Sequence, residues 1–138
     1  IIRQQIEQRE LHNIDLAVGR VIDMSAEYAR AHVTVAPFTD LNRCKPMTNS
    51  LIESLACGRP VICSPLVGLA PLVSEHHAGV VCEALGPALV EALDRAATDW
   101  DVLSIQARRL AERHFAQEAF VRSYQQIYGE LIGERGTR

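Results

Sequence analysis

The chain has 138 residues, of which 48% are apolar and 22% charged, with a formal net charge of −3. That balance fits one soluble globular domain with a buried core and excludes a disordered or fibrous chain. Lys and Arg are scattered among Asp and Glu, so no basic face offers itself to nucleic acid, and no apolar run approaches the ~18 residues of a membrane span.

The chain opens Ile1-Ile2-Arg3 without an initiator Met or a signal peptide, and Ile2, Ile6 and Leu11 mark one face of a helix already under way. Residues 1–13 therefore read as the remnant of a longer N-terminal helix, in a chain expected to be truncated upstream. Ile14-Asp15-Leu16-Ala17-Val18 is short, apolar and stopped by Gly19, which predicts a buried strand. A short helix follows, capped by Asp23 or Ser25, with Ala26, Ala29 and Ala31 as its small packing face. His32-Val33-Thr34-Val35-Ala36 is β-rich and halted by Pro37, and predicts the next strand.

Ser50-Leu51-Ile52-Glu53 has the spacing of a capping box, Gly58 follows the last apolar turn and Pro60 forbids continuation, so a helix is predicted over 50–57. Val61-Ile62-Cys63 predicts a strand, with Pro65 and Gly68 turning the chain at its end. Gly79-Val80-Val81-Cys82 predicts another. Three helices complete the order: one begun by Pro87 and carrying Leu89, Val90 and Leu93, one carrying Leu103, Ala107, Leu110 and Ala111, and one carrying Phe120, Tyr124, Ile127 and Leu131.

Strands alternating with helices imply the α/β class, a parallel sheet with helices on both faces. About four strands are expected, too few for a full sheet of this kind, so the first βα units are expected to be missing. The domain is read as residues 14–132 and the tail as 133–138, expected to fray.

In such sheets ligands gather at loops leaving the C-terminal ends of strands. The three candidate loops run from 19 to 24, 37 to 49 and 64 to 71. The middle one ends at the capped helix, so the amides of Met47, Thr48, Asn49 and Ser50 can face an anion, aided by the helix dipole. Cys44, Cys57, Cys63 and Cys82 form no C-x-x-C pair, and three of them lie in or beside apolar runs where Cys acts as a small apolar residue, which fits a reducing compartment; a metal site would need ligands converging from unrelated spacings. His76-His77 reads as a solvated pair, His114 as a helix-end residue and Ser64 as a turn residue.

The run from Lys45 to Ile62, Lys-Pro-Met-Thr-Asn-Ser-Leu-Ile-Glu-Ser-Leu-Ala-Cys-Gly-Arg-Pro-Val-Ile, resembles the donor-site signature of retaining GT-B glycosyltransferases of the group 1 type. In that family two Glu residues flank seven others, before a small-residue helix, Gly, Pro and a β-branched strand. Gly19-Arg20-Val21 with Asp23, Tyr28-Ala29, the strand ending at Pro37, Gly68, Gly79, the helix 107–115 and Tyr124-x-x-x-Tyr128 extend the likeness over residues 14–131.

The resemblance implies a Rossmann-like fold, the C-terminal domain that binds a nucleoside-diphosphate sugar. It implies that Glu53 accepts hydrogen bonds from the ribose hydroxyls, that Met47, Thr48, Asn49 and Ser50 meet the donor sugar and distal phosphate, and that Val21, Ile22 and Asp23 lie beside the base. The first Glu of the family pair is Lys45 here, a variant also seen in relatives with a similar Pro-x-x-Asn-Ser run. A cation at that position can contact phosphate or a sugar hydroxyl. Glu53 also has a purely structural role open to it, as the acidic partner in the capping box.

The implied activity is glycosyl transfer with retention, driven by electrostatic stabilisation, without a metal, in the biosynthesis of a polysaccharide or glycoconjugate. The acceptor, a glycan, lipid or small molecule, would bind an N-terminal domain absent from this chain, which alone should not turn over. The chain is expected in the cytoplasm, with peripheral attachment to the inner face of the membrane through that domain and self-association through the last helix as further expectations. Two alternatives stay open: a non-catalytic module binding a protein or regulatory nucleotide, and a GT-B sugar-nucleotide epimerase.

Overall fold

A computed structural model describes residues 2–45 and 47–135 of the chain. Three short strands, β1 (Thr34–Ala36), β2 (Val61–Cys63) and β3 (Gly79–Val81), pair in parallel in the order β1-β2-β3. Thr34 stands opposite Val61, and Val61 opposite Gly79. Gly79 is required by close packing, because a Cβ there would collide with the backbone of Val61.

The pleat of β2 divides the core. Val61 and Cys63 join Ala36, Leu51, Leu55, Val67, Leu69, Val73, Ala107 and Leu110 on one face, while Ile62 joins Val80, Ala92, Ala96 and Leu103 on the other. The first face is covered by α3 (Asn49–Ala56), α4 (Ala70–Glu75) and α6 (Trp100–His114), the second by α5 (Pro87–Thr98) and the start of α6. A continuous apolar strand between two helical layers is what the α/β reading requires.

Several sequence expectations are corrected. Residues 14–18 form no strand: the segment is irregular, with Ile14 47% and Val18 79% exposed. An apolar run becomes a strand only where a neighbour completes its hydrogen-bond ladder, and the sheet carries no strand beyond β1 on that side. The described residues therefore hold three strands, not four. The short helix α2 (Met24–Arg30) is capped by Asp23 as expected, but it buries Tyr28 rather than the alanine face. In α5 the buried pair is Ala92 and Ala96, while Val90 and Leu93 stay exposed. Two short elements were not expected: α4 itself, with Pro71 in its first turn, and a 3₁₀ turn over Leu41–Arg43.

The capping box is also corrected. Helix α3 starts at Asn49 with Thr48 as its N-cap, so Ser50 lies inside the helix, and Glu53 is not turned back to the cap. Its C-terminus fits the sequence closely. Gly58 sits at φ +68° while Gly58 N–H donates to Leu55 O and Arg59 N–H to Ser54 O, both at 2.9 Å, the two bonds of a Schellman end.

At the chain ends, α1 (Ile2–Gln8) buries no residue and is exposed except at the half-buried Ile6, and α7 (Gln117–Arg135) continues through residues 133–135, which were expected in the tail. Residues 136–138 lie outside the described residues. The face of α7 with Phe120, Tyr124, Ile127, Tyr128 and Leu131 is exposed.

Candidate functional site

Helix α3 positions the candidate site because its first turn and its second present different chemistry. Its N-terminal N–H groups cannot be satisfied within the helix, and the first amide of the turn with a partner is Leu51, which donates to Thr48 O at 3.0 Å. The amides of Thr48, Asn49 and Ser50 have no hydrogen-bond partner among the described residues. They border an open cleft of about 340 Å³ lined by Phe38, Arg43, Lys45, Met47, Thr48, Asn49 and Ser50. Pro46, within the motif, lies outside the described residues.

Two cations stand at this cleft. Lys45 has no carboxylate within salt-bridge reach among the described residues. Arg43 pairs only loosely with Asp40, at 3.9 Å and largely in solvent. Arg43 and Phe38 are lining residues that the sequence reading missed. Asp40 builds the 3₁₀ turn that presents Arg43, its Oδ1 accepting from the Asn42 amide at 2.9 Å, and only an Asp two residues before an Asn hinted at that turn. The Thr48 hydroxyl, which as an N-cap would ordinarily accept from the first turn, is buried without a partner.

One helical turn beyond, about 4.5 Å along the axis from Ser50, stands Glu53. Its exposed side chain borders a smaller depression of about 180 Å³ shared with Met24, Ser25, Tyr28, Ala56 and Cys57. The Tyr28 hydroxyl donates to Glu53 Oε2 at 3.3 Å. Burial, then the Glu53 charge and this hydrogen bond, raise the Tyr28 pKa, so the phenol stays protonated and a donor at neutral pH.

Of the residues assigned to the base, Asp23 is engaged at the N-terminus of α2, where its Oδ1 accepts from Ala26 N–H at 3.0 Å. Val21 is exposed and Ile22 is 97% exposed, just before the Met24 and Ser25 that line the Glu53 depression. The structure thus sets three features in sequence: an exposed apolar pair at 21–22, a carboxylate at 53, and a turn of open amides with two cations at 43–50.

The third loop, from Ser64, borders a separate depression of about 340 Å³ beyond Phe38, with Thr39, Pro65, Leu66, Glu83, Ala84 and Leu85. Ser64 is buried with its hydroxyl unpaired. The rings of His76 and His114 lie 5.0 Å apart, while His77 is turned to solvent. No group of three His, Cys, Asp or Glu side chains among the described residues could hold a metal ion. All four cysteines are free.

The family model of the glycosyl transferases group 1 matches residues 2–99. Among solved structures, sucrose-phosphate synthase from Thermosynechococcus elongatus matches with a TM-score of 0.76 and 26% identity, over 96% of this chain and 34% of that one. The chain thus spans about a third of the length of that structure. No curated protein matches it.

Proposed function

Since the chain belongs to the glycosyl transferases group 1 family, we propose that it is the donor-binding domain of an enzyme that transfers a sugar from a nucleoside diphosphate to an acceptor with retention. The observation that carries this reading is the pairing on α3 of open amides at Thr48 to Ser50, beside Lys45 and Arg43, with a carboxylate one turn later. Anions favour the positive end of a helix dipole, and two adjacent cations add to that field. A carboxylate one helical turn farther on suits the two hydroxyls of a ribose.

In this reading the diphosphate lies against the turn at Met47 to Ser50, Lys45 contacts phosphate or a donor-sugar hydroxyl, and Arg43 joins it. Glu53 accepts from the ribose, and Val21, Ile22 and the backbone at Asp23 flank the base. Charge developing on the departing diphosphate would be met by groups already in place, which is how fixed dipoles and cations lower such barriers. The acceptor and further cations come from a second domain, and the product is a glycan, polysaccharide or glycoconjugate made in the cytoplasm.

The chain alone is expected to bind nucleoside diphosphate in the millimolar range, because the phosphate contacts are few and exposed. Calorimetric titration with UDP, GDP and ADP on the wild type and Glu53→Gln tests this. Heats from one of the three that weaken in the variant support the reading; no binding by the wild type, or equal heats from both proteins, counts against it.

A further inference from the structure

Tyr28 is the one buried residue of α2, 6% exposed, and its hydroxyl emerges at the edge of the Glu53 depression rather than into the core. Its backbone is held as firmly as its ring. Arg59 Nε donates to Tyr28 O at 3.1 Å and Arg59 Nη2 to Ala29 O at 3.0 Å, while the guanidinium lies 5.4 Å from the centre of the Trp100 ring. Trp100 is itself tied to β1's entry, its Nε1 donating to His32 O at 2.9 Å. A fixed donor therefore points at an otherwise exposed, mobile type of side chain.

The consequence for Glu53 is asymmetric. Oε2 accepts from Tyr28, and Oε1 has no partner among the described residues. We infer that Tyr28 is a positioning residue for ribose recognition: by holding Oε2, it fixes the plane of the Glu53 carboxylate so that its open lone pairs meet the vicinal 2′- and 3′-hydroxyls of a nucleotide. The inference rests on the proposed function and deepens it. A free Glu loses much rotamer freedom when it engages a ligand, and a side chain already oriented loses less. A carboxylate accepts two parallel O–H donors only in one plane, so orientation sets the discrimination between a diol and a sugar lacking it.

The test is a ratio. This chain is titrated with UDP, GDP and ADP and with their 2′,3′-dideoxy counterparts, as wild type, Tyr28→Phe, Glu53→Gln and the double variant. The wild type should prefer the ribonucleotide, and Tyr28→Phe should shrink that preference about three- to tenfold. In the Glu53→Gln background the same change should leave the ratio where it is, because the effect runs through the carboxylate. An unaltered ratio in Tyr28→Phe, or an equal change in both backgrounds, overturns the inference while leaving the nucleotide site standing. A wild type that binds none of the nucleotides overturns the proposed function and the inference with it. If Tyr28→Phe does not fold, the ring ¹³Cζ resonance of Tyr28 in the wild type decides: it must move with the ribonucleotide and stay in place with the dideoxy form, and a resonance that moves with neither or equally with both refutes the inference.

Discussion

The Arg59 guanidinium stacks 5.4 Å from the Trp100 ring centre while donating to the last carbonyls of α2, so one side chain ties α2, the α3–β2 turn and α6 together. Arg59→Met keeps most of the apolar stem and removes the donors and the charge. The Tyr28 carbonyl keeps the Ala31 amide at 3.1 Å, so the loss is expected at about 1–2 kcal/mol, read as a shift of the urea midpoint. Amide exchange in α2 should rise more than in α6, since α6 is also held by its buried stripe and by Ser104, whose hydroxyl donates to Gly58 O at 2.7 Å.

Two helix ends make opposite predictions. Gly58→Ala puts a side chain on φ +68°, with open contacts of 3.6 Å or more, so the cost is the left-handed backbone alone, about 1–2 kcal/mol. His77 occupies the same position after α4, at φ +51°, with Ala78 N–H donating to Val73 O at 3.0 Å. It is exposed, so His77→Gly should stabilise by about 1 kcal/mol. Thermal melts of the two variants should move in opposite directions; a lower melting temperature for His77→Gly would contradict the argument.

Which parts were legible follows from how local their causes are. Helix α6 was readable because Leu103, Ala107, Leu110 and Ala111 repeat at helical spacing and all four are buried. Strand β2 was readable from a β-branched run between Pro60 and Pro65. Residues 14–18 misled because their pattern specifies a strand only in the presence of a partner. Glu53 misled as a cap because its partner is Tyr28, 25 residues away, and local spacing carries no record of that contact. Helix α4 was hidden by Pro71, a residue that a first helical turn tolerates. Arg43 reached the cleft through a 3₁₀ turn whose only local signal was Asp40 two residues before Asn42, and Phe38 through the irregular loop just after β1.

Cys63 gives the chain an alkaline limit. Burial, ahead of the Cys82 and Cys44 charges, pushes its thiol from 9.0 up to about 11. Above the unfolded value the unfolded chain releases a proton that the folded one keeps, so stability is full below pH 9 and falls as pH rises towards 11. The loss amounts to roughly 2–3 kcal/mol. Tyr28, also raised above its ordinary 10.0, acts in the same direction. Urea midpoints between pH 8 and 11 should fall for the wild type and fall less steeply for Cys63→Ala, whatever the level at which that variant starts. Parallel slopes would show that another group controls the limb.

Lys45 separates a phosphate contact from a structural surface residue. Its amine pairs with no carboxylate among the described residues, and it shares the cleft with the open amides of Thr48 to Ser50, so its removal leaves no buried charge behind. Lys45→Ala should therefore leave the urea midpoint within about 0.5 kcal/mol of wild type. Binding of whichever of UDP, GDP or ADP the chain accepts should weaken about threefold to fivefold, the worth of one exposed ion pair. The corresponding nucleoside, which has no phosphate to meet the amine, should bind both proteins alike. Because exposed pairs are screened, the difference between wild type and variant should shrink as salt rises from 50 to 500 mM and the Debye length falls about threefold. A difference that persists at high salt, or that appears equally with the nucleoside, would mean that Lys45 acts by shaping the loop rather than by meeting phosphate.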